Sequence, residues 1–330
     1  MAILATEKVL TLDYWKPAAK LQVGDYVFNN LGKPVKITLV QEYRSQHCYE
    51  IQLDDKLTIS GDIHLTFPTE NKKYRLRVAE YKGTRRFRRP LRPVSVAQLS
   101  EESLRIESNA HKYSIPTTKP IELPHQDLPV PPYVFGFWFI NRRPSKNCRA
   151  VGKHYDEVEQ KLKDYGYKTV IVKKTLNRYV EFKIQPSIES QLAPHIPTQI
   201  PNNYLLGSVE QRIELLSGII AARHRQYHDK QDIFKIRDLP LSILTRIQGL
   251  VESLSSKTRL EHRENTKRYT LFFRSHIKLL GRQNPAWIRV HHARRYITKI
   301  TPIPPQSCIH IETDGVDNTI LVGEGFISCL

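Results

Sequence analysis

The 330-residue sequence has few cysteines, no long apolar run and a shortage of acidic residues. Its four cysteines, Cys48, Cys148, Cys308 and Cys329, are scattered without Cys-x-x-Cys spacing, which argues against a disulfide framework or a zinc site. A membrane-spanning helix needs about 18 or more consecutive apolar residues, and the chain has no such run. No basic segment followed by an apolar stretch opens the chain. We therefore expect a soluble, cytoplasmic protein of two domains without a secretory signal.

The excess of basic residues is the strongest signal in the composition. The chain has 51 Lys and Arg against 33 Asp and Glu, a net charge of +18 and a pI near 9.7. A polyanion is the natural partner of such a chain, because phosphate contacts release counterions on binding. We expect double-stranded DNA rather than a membrane surface, since no amphipathic basic helix with a broad apolar face is evident.

Residues 70–92 form the densest basic segment, with interleaved aromatic residues. It predicts contacts with phosphates, although a solvated hairpin excursion would have the same composition. The candidate DNA-binding residues of this segment are Lys72, Lys73, Arg75, Arg85, Arg86, Arg88 and Arg89.

Strand patterns occur at both ends of the chain, and a mixed pattern lies between them. Runs rich in β-forming residues include 35–40, 48–53 and 308–312. Six prolines between Pro116 and Pro132 predict a stiff, extended linker. Beyond them, the sequence predicts helices over 132–142, 154–165, 208–224 and 241–254, and strands over 168–173, 178–184 and 268–275. Helices and strands follow in the same order twice, which indicates an α+β domain inserted into a β domain.

Motifs at the two ends of the chain belong together. The segments Val9–Trp15, Leu21–Val27 and Asn318–Leu330 resemble the first and last splicing blocks of inteins, the self-excising elements built on the Hint fold. The resemblance implies an all-β, horseshoe-like Hint domain made of residues 1–125 and 286–330, with residues 126–285 inserted.

An intein begins with a nucleophilic side chain that attacks the upstream peptide bond. Aligning Val9 with the first block places this position at Ala2, which has no nucleophile. Some inteins use a cysteine of the penultimate block instead, and Cys308 falls there, while Cys329 is a second candidate nucleophile. His64 stands where the second-block histidine protonates the departing nitrogen, with a structural role as the alternative.

The final block departs from the intein pattern at its end. Leu330 occupies the position of the penultimate histidine, and the terminal asparagine that cyclises to release the downstream segment is missing. The resemblance therefore predicts that the chain does not splice as written. Splicing would involve a flanking host protein in cis and no cofactor, and we expect a monomer.

The middle of the chain carries two further motifs. Pro132–Arg142 and Glu210–His224 resemble the paired motifs of LAGLIDADG homing endonucleases, with two unrelated core helices as the alternative. We expect Gly136 and Gly218 to lie where the two helices touch, because only a missing side chain lets backbones approach so closely. The resemblance implies an inserted α+β domain with pseudo-two-fold αββ repeats.

The acids that give this motif its function are absent. Such endonucleases hold Mg²⁺ with one carboxylate at the foot of each helix, and this chain has Asn141 and Arg223 there, with Ala221 replacing an additional acid. We expect no metal site, and Mg²⁺ only if nuclease activity survives.

The resemblance thus predicts an intein-type element with an endonuclease-like DNA-binding domain, inactive in both splicing and cleavage. The alternatives are a sequence-tolerant DNA-binding protein and an active endonuclease that uses other acids, such as Asp229 or Asp232. The candidate DNA-binding residues of the middle strands are Lys173, Lys174, Arg178, Lys183, Lys267, Arg268 and Arg274.

Overall fold

The computed structural model describes residues 2–13, 15–45, 47–71, 91–142, 147–175, 179–222, 227–228, 233–262, 269–275, 279 and 294–330. The chain divides into two compact units, which we call the terminal unit and the central unit. The terminal unit comprises Met1–Glu122, Ser255–Lys257 and Arg289–Leu330, and the central unit comprises Leu123–Leu254 and Thr258–Ile288. Both ends of the chain therefore contribute to one unit.

The first part of the terminal unit consists of short strands and one short α-helix. The strands are β1 (Ala2–Leu4), β2 (Lys8–Leu10), β3 (Trp15–Pro17), β4 (Tyr26–Phe28), β5 (Pro34–Ser45), β6 (Cys48–Leu53), β7 (Thr58–Asp62), β8 (Thr66–Asn71), β9 (Arg92–Ser95) and β10 (Tyr113–Pro116). Helix α1 spans Val96–Glu101, and its start is fixed by a capping box of Ser95 and Gln98.

The central unit alternates helices with strands. Its helices are α2 (Pro132–Asn141), α3 (Tyr155–Asp164), α4 (Ile188–Leu192), α5 (Asn202–Leu205), α6 (Val209–Ala221) and α7 (Leu241–Ser253). Its strands are β11 (Cys148–Val151), β12 (Lys168–Thr175), β13 (Tyr179–Gln185), β14 (Tyr227–His228), β15 (Ile233–Arg237), β16 (Thr258–His262) and β17 (Tyr269–Phe273).

The chain then completes the terminal unit with β18 (Arg294–Ile303), β19 (Gln306–Thr313), β20 (Ile320–Val322) and β21 (Ile327–Cys329). These strands join a ten-stranded sheet of order β4-β5-β19-β1-β7-β6-β18-β10-β8-β9 and a four-stranded sheet of order β21-β20-β2-β3. Strand β1 thus lies between the late strand β19 and the early strand β7, and β2 pairs with β20. The first and last motifs are neighbours in one fold, as their pairing in the sequence predicts.

The terminal unit is interrupted at a pair of adjacent strands. Strand β10, the last before the central unit, pairs antiparallel with β18, the first after it, with Ile115 opposite Arg295. The chain therefore leaves and re-enters the terminal unit at neighbouring positions, which is the geometry that a tolerated insertion requires.

The first part of the proline-rich segment, which the sequence predicts as a stiff, extended linker, is attached to the terminal unit. The backbone N–H of Glu122 donates to the carbonyl oxygen of Gly32 over 2.7 Å, and Ile121 is buried. Gly32 has a φ of +75°, and a Cβ there would come 2.1 Å from the carbonyl oxygen of Pro120. The segment is attached through its non-proline residues, because the N–H of Lys119 also donates to the carbonyl oxygen of Asn30 over 3.2 Å.

Strands β8 and β9 pair antiparallel at the two ends of the basic segment, with Thr69 opposite Arg92. Residues 72–90, which carry seven of the candidate DNA-binding residues, lie outside the described residues. None of the helices in the described part of the chain has the length and hydrophobicity needed to cross a membrane.

Two glycines hold the helices α2 and α6 together. A Cβ on Gly136 would come 2.5 Å from the carbonyl oxygen of Leu215, and one on Gly218 would come 2.1 Å from that of Tyr133. Real Cβ atoms do not approach backbone atoms this closely, so only glycine fits. The predicted contact of the two helices through their glycines is confirmed.

The start of α6 also follows its sequence signal. The Ser208 hydroxyl accepts a hydrogen bond from the backbone N–H of Gln211. In return, the side-chain oxygen of Gln211 accepts one from the backbone N–H of Ser208. The helix predicted over 208–224 therefore begins with a capping box. Gln211 also accepts from the backbone N–H of Gln126 and donates to its carbonyl oxygen.

Replacement of Gly218 by alanine tests the backbone contact. We expect Gly218→Ala to destabilise the protein by about 1–3 kcal/mol, because the helices must separate to admit the methyl group. Gly249→Ala in α7 is the matched control: no atom lies within 4 Å of its Cβ position, so the higher helix propensity of alanine should stabilise by about 0.5–1 kcal/mol. Urea denaturation followed by circular dichroism measures both, and equal effects would contradict the close approach.

Candidate functional site

Ala2, at the predicted position of the splicing nucleophile, is buried inside the ten-stranded sheet. It lies opposite His310 of β19, and its neighbour Ile3 lies opposite Gly61 of β7. A Cβ on Gly61 would come 2.6 Å from the carbonyl oxygen of Ala2. The backbone of the first strand is therefore held tightly between the two later elements.

Two thiols lie in the same apolar cluster as Ala2. The cluster contains Ala2, Leu4, Cys48 and Cys308, and the two sulfur atoms are 3.9 Å apart. Burial, more than any other cause, raises the pKa of the Cys308 thiol to about 12. Cys308 is thus close to the position where a rescuing nucleophile would act, but it is held as a protonated thiol at neutral pH.

Tyr43 packs against this cluster and is joined by hydrogen bonds to the turn that carries His64. The hydroxyl of Tyr43 donates to Asp62 Oδ2 over 2.5 Å, and Asp62 Oδ1 accepts from the backbone N–H of His64 over 2.9 Å. Burial and the bond to Asp62 raise the pKa of Tyr43. The side chain of His64 itself is exposed, whereas Asp62 is buried.

The final strand of the described chain is anchored in the same unit. Cys329 pairs with Ile320 across the sheet, and the N–H of Leu330 donates to the carbonyl oxygen of Thr66 over 2.8 Å. Burial, reinforced by the charge of Glu7, raises the pKa of the Cys329 thiol well above its usual value. Cys329 is therefore also held as a thiol. Glu7 is fixed by the N–H of Ser60, which donates to its carboxylate over 2.7 Å.

Two of the endonuclease-like positions end helices: Asn141 is the last residue of α2, and Ala221 is the last residue of α6. The side-chain amide of Asn141 donates to the carbonyl oxygen of Arg149, a bond that a carboxylate could not form. Ala221 is buried, and Arg223 lies outside the described residues. No group of three or more His, Cys, Asp or Glu side chains in the described ranges is placed to hold a metal ion.

Basic side chains line the outer face of the three-stranded sheet β11-β13-β12. Val180, Phe182 and Ile184 of β13 point into the core, so residues alternating with them face outward. Lys183 is one of these, and Lys173 lies opposite Glu181 on the same face. On the neighbouring strand, the Arg149 guanidinium lies 4.9 Å from the centre of the Tyr179 ring. Lys174 is exposed as well.

The sheet β14-β15-β17-β16 has a similar outer face that the sequence prediction missed. Phe272 points outward, with Lys235 Nζ at 5.7 Å and the Arg259 guanidinium at 5.1 Å from its ring centre. Lys235 and Arg237 alternate with the buried Phe234 and Ile236. That alternation of apolar and basic residues was the signal available in the sequence.

Of the remaining candidate DNA-binding residues of the middle strands, the structure describes only Arg274. Arg274 follows β17 and is half-buried. Three others, Arg178, Lys267 and Arg268, lie outside the described residues, as do Asp229 and Asp232.

Comparison with known proteins returns the two classes that the motifs indicate. The chain resembles inteins that carry an inserted homing endonuclease. A curated protein similar to the chain is the replicative DNA helicase DnaB of Mycobacterium intracellulare, 21% identical over 335 residues. That match covers 95% of this chain and 55% of the relative, so the chain spans about half of the relative's length. No family model matches the chain.

Solved structures similar to the chain are themselves inteins and a homing endonuclease. The gp41-1 intein is 18% identical, covers 34% of this chain and 74% of its own, and has a TM-score of 0.23. The MchDnaB-1 intein is 23% identical, covers 21% and 53%, and has a TM-score of 0.20. I-DmoI in complex with DNA and Mn is 9% identical, covers 44% and 89%, and has a TM-score of 0.32.

Alkylation tests whether Cys308 is a poor nucleophile. A thiol with a pKa of about 12 is only about one part in ten thousand thiolate at pH 8. We expect no labelling of Cys308 by iodoacetamide at pH 8 in the folded protein, and labelling that rises with pH towards 12 instead of levelling near 9. Val316→Cys, at a fully exposed position, provides a reactive control. Mass spectrometry of the peptides measures both, and fast labelling of Cys308 at neutral pH would refute the assignment.

Proposed function

We propose that the chain is an intein-type splicing element in which the terminal unit is the Hint-like domain. One observation carries the proposal: Ala2–Leu4 is built into a sheet between β19 and β7. This arrangement holds the backbone carbonyl of Ala2 beside Gly61 and next to the thiol cluster. A flanking host protein would be its partner in cis, the element would act as a monomer, and it would follow the host in the cytoplasm.

The same site supports the proposal that the chain does not splice as written. The first step requires a side-chain nucleophile at the junction to attack the preceding carbonyl carbon, and the methyl group of Ala2 cannot do so. Cys308 and Cys329 are buried as protonated thiols. The missing nucleophile at Ala2 and the protonated state of the two thiols support a splicing element that keeps its fold but cannot carry out the first acyl transfer.

For the central unit we propose a homing-endonuclease-like DNA-binding function without cleavage. The order of helices and strands in its two halves, joined at Gly136 and Gly218, supports a pseudo-two-fold αββ arrangement. Each half turns basic and aromatic side chains outward from its sheet, which suits the phosphates and base edges of a DNA groove.

The residues at the motif positions do not fit a catalytic Mg²⁺ ion. The side-chain amide of Asn141 donates to the carbonyl oxygen of Arg149. The second position is occupied by the cation Arg223, which would repel a metal ion and attract a phosphate. The proposed function therefore stops at DNA binding.

Restoring the nucleophile tests the proposed splicing site. With a reporter domain fused directly before residue 2, Ala2→Cys should attack the reporter's last carbonyl carbon. The peptide C–N bond breaks, the cysteine amine is freed and a thioester forms. Added dithiothreitol should then release the reporter by thioester exchange, and gel electrophoresis measures the released fragment.

Two controls accompany this experiment. The unchanged chain should release no reporter, and Ala5→Cys, three residues further into the same segment, should not respond to dithiothreitol. A folded Ala2→Cys fusion that stays intact after long incubation would overturn the assignment of Ala2 as the nucleophile position.

Removal of outward lysines tests the proposed DNA binding. We expect the affinity for duplex DNA to fall steeply with salt, and Lys173→Ala with Lys183→Ala to lower the salt slope by about 2. The control replaces Lys161 and Lys163 by alanine on α3, the helix whose Tyr155 packs against the buried Phe182 of β13. Fluorescence anisotropy measures binding.

A cleavage assay tests the proposed absence of endonuclease activity. Incubation of the chain with Mg²⁺ and supercoiled plasmid DNA should leave the plasmid intact on an agarose gel. Nicking of the plasmid would instead favour an endonuclease that uses acids elsewhere, and loss of nicking in Asp229→Asn would then identify one of them.

A further inference from the structure

Strand β19 continues past the point where its pairing with β1 ends. The ladder of the two strands ends at Ala2, which lies opposite His310, and β19 extends three residues further, to Thr313. One side of that stretch is paired with β5. On the β1 side, the described residues supply no strand beyond Ala2. We call these last three residues of β19, Ile311, Glu312 and Thr313, the upstream edge.

The backbone of the upstream edge is set to continue the ladder. Hydrogen-bonded positions recur at every second residue of an antiparallel strand. One such position is Ser307, whose carbonyl oxygen accepts from the N–H of Ala5 over 3.0 Å, and the same alternation reaches Ile311. Thr313, the next of these positions, donates its N–H to Asn318 Oδ1 over 2.8 Å. Ile311 is therefore the backbone position with which a strand entering from upstream would pair.

Covalent continuity fixes the register of that strand. In the proposed function a host protein precedes Ala2, so its last residues extend β1 backwards along β19. Because Ala2 lies opposite His310, the last host residue falls opposite Ile311 and the penultimate host residue falls opposite Glu312. The second of these is a pair without mutual backbone bonds, in which the side chains are closest and the Cβ atoms lie about 4.5–5.5 Å apart.

The carboxylate of Glu312 lies on the face of the sheet that carries Ala2. Its Oε1 atom is 3.2 Å from Nε2 of His310, the residue directly opposite Ala2. The Glu312 side chain is 49% exposed, so an incoming side chain can reach it. Opposite charges directly across a ladder stabilise the pairing, and like charges destabilise it.

We propose that Glu312 selects host segments with Lys or Arg as the penultimate residue before the junction, held as an added length of strand on the upstream edge. Charge complementarity and the continuity of the ladder of β1 and β19 decide this occupant. The inference rests on the proposed splicing function of the terminal unit.

A charge-swap experiment tests the inference. The Ala2→Cys fusion described above is made with Lys, Ala or Glu as the penultimate residue of the reporter, and the rate of reporter release by dithiothreitol is measured. We expect release to be about two- to fivefold faster with Lys than with Glu, because a cross-strand charge pair changes the paired fraction by about that factor. Glu312→Lys should invert the order of the three fusions.

A second measurement needs no chemistry at the junction. The chain with Ala2 retained is given a short peptide before residue 2, again with Lys, Ala or Glu as its penultimate residue. The midpoint of urea denaturation should be highest with Lys and lowest with Glu, and Glu312→Lys should invert this order as well.

Glu42→Lys is the matched control for both measurements. It makes the same change of net charge at another exposed acid, on the neighbouring strand β5, where the Glu42 carboxylate accepts from the hydroxyl of Ser307. This variant should keep the preference for Lys. Circular dichroism checks that both variants are folded.

The possible failures are distinguishable. Release from all fusions at one rate, with equal urea midpoints, would overturn the selection by Glu312 while the splicing site stands. Absence of release from every fusion, with midpoints that depend on the penultimate charge, would overturn the nucleophile position and support the strand pairing. A dimer of the unfused chain in sedimentation equilibrium that Glu312→Lys abolishes would assign the upstream edge to a second copy instead.

Discussion

The antiparallel pairing of β1 with β19 is the interaction on which the rest of the terminal unit depends. It joins residues separated by some 300 positions, with Ala2 opposite His310 and Leu4 opposite Cys308. Closing so long a loop costs entropy, which the ladder and the burial of Ile3 must offset. The pairing of β10 with β18 lowers this entropy cost, because it brings the chain segments before and after the central unit together at one point of the sheet. The central unit can therefore be inserted without breaking the strand order around Ala2.

The sequence predicts those parts of the fold whose signals are local. The alternation of Cys48–Leu53, the capping box of Ser208 and Gln211, and the close contact at Gly136 and Gly218 all depend on neighbours in sequence or on the special freedom of glycine. Strand β1 was not predicted, since three apolar residues have no period of their own and their partners come from β7 and β19. The outward residues Lys235 and Arg259 were missed for a similar reason: they come from two different strands and meet only around Phe272.

The candidate site shows the same limit more sharply. Ala2 and Cys308 could be singled out from motifs, but their proximity and the protonation of Cys308 arise from burial that only the folded sheet creates. The role of Asn141 is likewise visible only in the folded structure. Its amide donates to the carbonyl oxygen of Arg149 and so holds the end of α2, a bond that a carboxylate at this position could not form. Electrostatics and packing thus change together at one position.

The contact between α2 and α6 is made by backbone atoms, because neither Gly136 nor Gly218 has a side chain to contribute. Around the two glycines, buried side chains such as Phe137 and Ile219 pack in the core of the central unit. Side chains at the helix ends and on the outer faces of the sheets are then free to drift in charge and size while the geometry stays fixed. The crossing of the two helices is thereby set by backbone geometry, separately from the side chains at the helix ends and on the outer faces of the sheets.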